Sequence, residues 1–356
     1  MELKRKFANT VIHTNNVDQN TINQVNNLIN CDVSEGSTIH IMPDCHAGKG
    51  CTIGTTMTIK DRVCPNLVGC DVGCGMLCLK VQGDFTIDDF LDACEKVPSG
   101  VGKYNTEMIP FDDLKNLSFQ LENKEQILYS IGSLGSGNHF IELNEDEDGN
   151  RYIVIHTGSR NLGIQVCSHH MEIAKKTNLR GDLSFLTGTD LDNYLHDMKI
   201  CQTYAQKNRL EIGDIILRNL GNTTIVDTFE TVHNYIDFDD NILRKGAISC
   251  TKGKKVLIPF NMRDGSVIAV GKGNAEWNFS GPHGAGRIMS RSEARKNLTL
   301  EEYQNTMKGI SSRTVCQKTI DEAPQVYKDA KEIENLISET VEIQKHLNVV
   351  ANYKGF

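Results

Sequence analysis

Apolar positions recur at helical spacing from Thr21 to Asn30, with Ile22, Val25 and Ile29 on one face, and then alternate as in a strand from Ser37 to Met42. That strand runs into the polar, glycine-bearing stretch Pro43-Asp44-Cys45-His46-Ala47-Gly48-Lys49-Gly50, which reads as a loop. Thr55 to Lys60 and Leu77 to Val81 read as short strands on either side of Gly69-Cys70-Asp71-Val72-Gly73-Cys74-Gly75-Met76. Thr86 and Asp89 form a capping box for a helix through Phe90, Leu91, Cys94 and Val97, which Pro98 stops. His139 to Leu143 and Tyr152 to His156 flank the acidic turn Asn144 to Asn150, the pattern of an antiparallel hairpin. His139 opens one strand and His156 closes its partner, so both imidazoles fall near one end of the sheet.

Downstream, Thr157 to Gly163 is a second glycine-bearing loop that enters a helix. Leu191, Leu195, Met198, Cys201 and Ala205 then line one stripe of a long helix from Leu191 to Leu210. Val226 to Asn234 ends in His233-Asn234, and two apolar runs between Val256 and Val270 are separated by Asn261 to Gly265. Gly281 to Arg291 is glycine-rich, and Thr299 with Glu302 caps a further helix. Asp329 to Val350 reads as a helix, leaving Asn352 to Phe356 as a short end. No repeat, low-complexity segment or linker interrupts the chain. The pattern predicts one interlocked domain over residues 1–356, of the α+β class, with mixed sheets surrounded by helices.

Composition narrows the function classes. With 39% apolar and 24% charged residues in 356, the chain can bury a sizeable core. A net charge of −8 argues against non-specific nucleic-acid binding by the whole surface, though not against a local basic site. Nothing approaches the roughly 18 consecutive apolar residues of a membrane span, and a cytoplasmic location without membrane association is expected. The 12 cysteines are scattered, which suits reduced thiols better than a disulfide framework.

Candidate chemistry sits in the glycine-rich stretches. Asp71 and Cys74 offer a hard and a soft ligand three residues apart on a turn, so they can converge on one metal ion or bridge two. A buried turn with inert thiols accounts for those eight residues equally well. His139, His156 and His233 each stand at a strand end beside Asn or Thr, where an imidazole can point into a cleft; singly, each reads as an ordinary satisfied histidine. Together the five side chains supply enough N, O and S ligands for two divalent ions with positions left for substrate. Ligand chemistry alone does not choose between zinc, manganese and magnesium. His283, in Gly281-Pro282-His283-Gly284-Ala285-Gly286-Arg287, has small neighbours that admit a bulky substrate; it is a candidate nucleophile or a structural loop histidine. Arg160, Arg244, Lys245, Lys252, Lys254, Lys255, Arg287 and Arg291 form the basic inventory, and several of them fit an ordinary solvated surface. A helix starting near Arg287 would place it on one face with Arg291.

Five strings occur in order across nearly the whole chain: Met42 to Gly50, Gly69 to Met76, Gly135-Ser136-Gly137-Asn138-His139-Phe140-Ile141-Glu142, His156-Thr157-Gly158-Ser159-Arg160 and His283 to Arg287. With Asp321 to Pro324, Tyr327-Lys328 and Lys354-Gly355, the set resembles the RtcB family of RNA-splicing ligases. The resemblance implies a GTP- and manganese-dependent enzyme that joins RNA ending in a 2′,3′-cyclic phosphate or 3′-phosphate to RNA with a 5′-hydroxyl. In the family's scheme the cyclic end is opened, a histidine is guanylylated, GMP passes to the 3′-phosphate, and the 5′-hydroxyl displaces GMP. His283 would be the guanylylated residue. Cys74 would bridge two manganese ions, with His139 and His156 on one and Asp71 and His233 on the other.

The same resemblance implies that Asn138, His233, Asn234 and the loop His283, Gly284, Ala285, Gly286 surround the nucleotide. It puts Pro259, Asn261, Met262 and Ser266 in the same site, with Glu142, Lys354 and Tyr327 near the base. Arg160, Lys245, Arg287 and Arg291 would meet RNA phosphates or the reacting ends, and Asp44 would lie near the metals among the RNA-contact positions. An archease-type activator is a further possible partner. Strand alternation puts Glu142 on the face of Asn138 and away from His139, so guanine and metal should lie on different sides of that strand's start. One departure is local: Phe260-Asn261-Met262-Arg263-Asp264 stands where the family commonly has Gly-Ser-Met-Gly-Thr, which puts a charged pair near the nucleotide. The chain is also shorter than many members. Two rival readings are therefore carried, a metal-dependent cyclic phosphodiesterase and an RNA-end binding protein without turnover.

Overall fold

Asp18 accepts the backbone N–H of Thr21 and so caps the first helix, whose Thr21, Val25, Leu28 and Ile29 turn inward. The computed structural model describes residues 1–4 and 6–356. In chain order the early elements are β1 (Glu2–Lys4), β2 (Asn9–Ile12), α1 (Gln19–Ile29), β3 (Ile39–His46), β4 (Ile53–Thr58), β5 (Arg62–Val63), β6 (Gly75–Gly83) and α2 (Ile87–Cys94). The middle comprises α3 (Lys124–Leu128), β7 (Phe140–Glu145), β8 (Arg151–Thr157), α4 (Arg160–Asn178), β9 (Leu186–Thr187), α5 (Gly188–Leu220), β10 (Thr223–Val232), β11 (Asn234–Asp237) and β12 (Ile242–Lys245). There follow β13 (Ala247–Ser249), β14 (Lys255–Asn261), β15 (Gly265–Gly271), β16 (Ser280–Pro282), α6 (Arg291–Asn297), α7 (Leu300–Thr306), α8 (Ala330–Ile337) and β17 (Val341–Lys354).

Two large sheets, the first mixed and the second antiparallel throughout, carry the α+β architecture. The first has the order β1-β2-β3-β4-β12-β11 and the second β10-β6-β8-β7-β17-β15-β14. One face of the second sheet, with Leu77, Leu79, Ile141, Leu143, Ile153 and Ile155, packs on Phe90 and Leu91 of α2 and on Ile212, Ile215 and Ile216 of α5. Its other face gathers Met76, Phe140, Tyr152 and Val154 with Leu257, Ile268 and Leu347. The sheet curls until its two outer strands meet, where the N–H of Leu257 in β14 donates to Thr231 Oγ1 in β10 at 2.9 Å. The antiparallel neighbours β10-β6-β8-β7 bring the starts of β6 and β7 and the ends of β8 and β10 to one sheet end. Among the described residues no helix is long and apolar enough to cross a membrane.

Three expectations change. The stretch from Asp329 to Val350 is helical only to Ile337; from Val341 the chain is a strand, and Asn352 to Lys354 belong to it rather than to a short end. Ile333, Ile337 and Val341 are four apart and so prolong a helical pattern, but β17 lies between β15 and β7 and its backbone groups are taken by both neighbours. Pro43 to His46 continue β3, so the loop begins only at Ala47. No helix joins Arg287 to Arg291: Ser290 caps α6, which starts at Arg291. The long helix, by contrast, runs further than its apolar stripe, from Gly188 to Leu220.

Ile155 is fully buried in β8 between the two helices and the sheet. Ile155→Ala should lower the unfolding free energy by about 2–5 kcal/mol in urea titrations, the range for a large-to-small change that leaves a cavity.

Candidate metal and phosphoryl-transfer site

The crowded strand ends bring the predicted ligands together. Cys74 immediately precedes β6, His139 precedes β7, His156 is near the end of β8, and His233 lies between β10 and β11. Cys74 Sγ is 3.3 Å from His156 Nε2 and 3.6 Å from His139 Nε2. His156 and His233 face each other through Nε2 at 3.3 Å, and Asp71 Oδ2 is 2.9 Å from His139 Nε2. Two overlapping groups result, Cys74 with His156 and His233, and Cys74 with Asp71 and His139. Cys74 is common to both groups; His139 falls with Asp71 and His156 with His233, whereas the resemblance implied His139 with His156 and Asp71 with His233. Cys78 is buried in the core and Cys70 meets Cys167 at 3.1 Å, so neither joins Cys74.

The donor set fits a divalent cation. Nδ1 of His139 donates to Leu134 O at 2.9 Å and Nδ1 of His156 to Asn138 O at 3.1 Å, which leaves both Nε2 lone pairs pointing into the cluster. The bare Nε2 of His139 and the carboxylate of Asp71 are then two acceptors in contact, an arrangement a shared cation reconciles. Burial pushes His156 and His233 well below the usual imidazole range, so both rings are neutral. Burial and the Asp71 carboxylate push the Cys74 thiol well above its ordinary value; a bound cation would reverse that shift.

Residues from α5, which the sequence pattern did not single out, fix this geometry. Arg209, 1% exposed, donates through one terminal nitrogen to Gly73 O at 2.7 Å and Thr157 O at 3.0 Å, the carbonyls beside Cys74 and His156. Its Nε is paired with Glu230 at 2.9 Å. Asn208 bonds the backbone of Gly132, Ser133 and Gly158. Asn234, expected at the nucleotide, instead donates to Asp71 O and accepts from the N–H of Gly246. The loop must also come close to the helix: a Cβ on Gly73 would meet Ala205 at 2.9 Å, and one on Gly158 would meet Asp71 at 2.1 Å. The available signal was a polar Asn-Arg pair three and four residues beyond Ala205, on the buried stripe.

His283 stands next to the cluster, its ring centroid 4.9 Å from that of His233. Its Nδ1 donates to Asp44 Oδ2 at 2.6 Å, and the same oxygen accepts its backbone N–H at 3.2 Å. Asp44, which the resemblance puts among the RNA-contact positions, is fully buried here, where its carboxylate orients the nucleophile candidate. With Nδ1 carrying the proton, Nε2 of His283 is bare. His283 opens on a cavity of about 900 Å³ that His156 and His233 also line.

Most nucleotide candidates share that cavity: Asn138, Glu142, Pro259, Asn261, Met262, Gly284, Ala285, Gly286, Tyr327 and Lys354. Ser266 is buried outside the wall. Asn138, Phe140 and Glu142 turn toward the cavity and His139 away from it, as alternation predicts, although His156 shares the cavity side. Burial pushes Glu142 up to about 7, against Asn352, which donates to its Oε1 at 2.7 Å; its Oε2 has no partner. Glu322, unassigned from sequence, binds Tyr327 at 2.6 Å, Lys354 at 3.2 Å and Arg287 at 3.2 Å. Burial raises Glu322, but Lys354 and Arg287 prevail and hold it at about 2.

The basic candidates divide. Arg287 and Arg291 line the cavity. Arg160 is turned inward to Ser133 Oγ and Gly100 O, and Lys245 is buried against Lys49 O and Asn66 O, so neither is on the wall. Arg244, fully buried, is held by Asp237 and Asp240 and is structural. Arg263 and Asp264 pair with each other on the exposed turn between β14 and β15, off the cavity wall, so this pair does not charge the cavity.

A multidentate N, O and S cluster, a carboxylate-backed histidine and a cation-bearing cavity are together the equipment of a metal-assisted phosphoryl-transfer site. Comparison with known proteins names the family. The profile described as tRNA-splicing ligase RtcB matches residues 24–118 and 111–355. The chain is 30% identical to the RNA-splicing ligase RtcB of Escherichia coli over 89% of its own length and 90% of that protein. It is 25% identical to the tRNA-splicing ligase RtcB of Nanoarchaeum equitans, covering 82% of each chain. It is 24% identical to the RNA-splicing ligase RtcB of Mycobacterium tuberculosis, over 83% of this chain and 91% of that one. The chain belongs to the RtcB family.

If the Arg209 fork sets the cluster, Arg209→Lys should weaken manganese binding about 10–100-fold in titration calorimetry, as loss of an outer partner does at other metal sites. An unchanged affinity in the folded variant would make the fork merely structural.

Proposed function

We propose that the chain, residues 1–356 acting as one unit, is a cytoplasmic GTP- and manganese-dependent RNA ligase. It joins a 2′,3′-cyclic-phosphate or 3′-phosphate end to a 5′-hydroxyl end in RNA repair or tRNA splicing. The observation that carries this reading is the bare Nε2 of His283, backed by buried Asp44 and opening on the cavity that the histidine cluster lines. A protein that only binds RNA ends has no use for an oriented nucleophile there. The cyclic-phosphodiesterase reading is the weaker one, since the Arg263–Asp264 pair lies off the cavity wall, although Phe260 and Asn261 of the same stretch line it.

Asp71, Cys74, His139, His156 and His233 would hold the metal ions. When bound, these neutralise charge on the phosphoryl group in transfer. Asp44 keeps the proton on Nδ1 of His283, so that Nε2 attacks the α-phosphate of GTP and pyrophosphate leaves. The N–H groups and small side chains of Gly284, Ala285 and Gly286 let the phosphates approach the ring. Glu142 meets the guanine edge, where the N1–H and N2–H donors require an ionised carboxylate as acceptor. Glu322 holds Lys354, Tyr327 and Arg287 in one arrangement around that pocket. Arg287 and Arg291 take the RNA phosphate at the rim. GMP then passes to the RNA 3′-phosphate and is displaced by the 5′-hydroxyl. An archease-type activator belongs to the same proposal as a possible partner.

Incubation with labelled GTP and manganese should transfer the label to the wild type, and His283→Ala should abolish it; a folded, metal-loaded wild type that stays unlabelled would sink the reading. Product analysis separates ligation, which consumes the 5′-hydroxyl strand, from hydrolysis, which ignores it.

Glu142 gives a pH signature. Because burial sets its carboxyl near 7, the ionised acceptor is lost as pH falls through that value. Guanosine affinity, taken as the ratio of wild type to Glu142→Gln, should rise about tenfold between about pH 6 and about pH 8. A flat ratio would remove Glu142 from guanine recognition.

A further inference from the structure

The cavity contains another histidine that this reaction sequence leaves unused. His46 ends β3, two residues beyond Asp44, and lines the same cavity as His283. Its Nδ1 is 3.1 Å from Asp44 O, and a carbonyl only accepts, so Nδ1 bears the hydrogen and the lone pair on Nε2 is bare. The ring is half-buried, and no side chain among the described residues binds its Nε2.

The carboxylates of the wall are otherwise engaged. Asp18 caps α1 through the N–H and hydroxyl of Thr21. Glu293 caps α6 through Ser290. Glu322 is held by Lys354, Arg287 and Tyr327. Glu142 is the acceptor assigned to guanine. His156 and His233 belong to the ligand cluster, which leaves His46 as the free neutral base of the wall.

The ligation sequence needs such a base at one point in particular. His283 attacks through a bare nitrogen, and the RNA 3′-phosphate attacks through an oxygen already ionised. Only the 5′-hydroxyl arrives with a proton to lose. Opening a cyclic end by water has the same need, and a strand that already carries a 3′-phosphate avoids that step. We propose that His46 is the general base for strand joining. The 5′-oxygen forms its bond to the RNA-linked phosphorus and the bond from that phosphorus to GMP breaks. GMP leaves with the electron pair, and the hydroxyl proton passes to His46 Nε2.

The surroundings suit the role. Burial, and more weakly Arg287 among the cations of the wall, pushes His46 down to about 4 against the hydrogen bond to the Asp44 carbonyl, so the ring enters the reaction neutral. RNA phosphates entering the cavity oppose those cations and raise its basicity toward the range where general-base catalysis works best.

The inference rests on the ligation reading, and the test keeps the two apart. Wild type, His46→Gln and His46→Ala are assayed separately for GTP self-labelling, for capping of a 3′-phosphate RNA, and for joining of purified capped RNA to a 5′-hydroxyl strand. Both variants should label and cap within about twofold of wild type, accumulate capped RNA, and join it about 10²–10⁴-fold more slowly. Added imidazole should restore part of the joining rate to His46→Ala. Normal joining by either variant, or loss of self-labelling in both while they remain folded, overturns the assignment. An unlabelled wild type overturns the ligation reading itself, and this assignment with it.

Discussion

The structure depends most on one buried guanidinium. Arg209 sits on α5 with almost no contact with water, and such a charge is tolerated inside a protein only when it is paired and its N–H groups are bonded. Glu230 supplies the counter-charge, and the carbonyls of Gly73 and Thr157 supply acceptors. These partners come from three different strands or their ends. Satisfying Arg209 therefore fixes the relative position of the loop that carries Cys74 and the strand that carries His156. Asn208, one residue earlier, does the same for Ser133 and Gly158. The helix acts as the jig on which the ligand cluster is assembled, which explains why two strongly polar residues occupy its buried stripe.

Charge is partitioned around this jig. The chain as a whole is acidic, at −8, yet the cavity wall carries Arg287, Arg291 and Lys354. Glu322, buried among them, pairs with all three and so keeps these cations from repelling one another. Arg160 and Lys245 show the other outcome. Each is basic and matches a family position expected at RNA, but each donates to backbone or hydroxyl oxygens inside the protein. Position along a motif does not distinguish these fates; burial and partners do.

Much of this was legible in the sequence where the determining forces are local. The hairpin from His139 to His156 follows from period-two alternation across an acidic turn, and its register of Phe140 against His156 places the two imidazoles at one sheet end. The convergence of Asp71, Cys74 and three histidines could be anticipated from residue type and ordered motifs. What could not be read was set by distant partners. β17 is a strand because β15 and β7 flank it, although Ile333, Ile337 and Val341 continue a helical spacing. Asp44 backs His283 across 239 residues of chain, and Glu322 gathers Tyr327, Lys354 and Arg287 from separate segments. Such contacts leave no periodic trace.

A single backbone device governs the chemistry of the histidines. His139 and His156 donate from Nδ1 to the carbonyls of Leu134 and Asn138, His46 donates to the carbonyl of Asp44, and His283 donates to the carboxylate of Asp44. Each partner can only accept, so each ring is forced into the tautomer with a bare Nε2. On these four rings, in the neutral form, the fold thus leaves Nε2 as the nitrogen available for function. Asp44 serves two of them with different atoms, its side chain holding His283 and its main chain holding His46. His233 differs, because its Nδ1 is buried without a partner. Its Nε2 faces that of His156 at 3.3 Å, and in a neutral His156 that atom is already an acceptor. With nothing to fix its tautomer, His233 can present a proton or a lone pair to the cluster, so it is the ligand whose state a bound cation would decide.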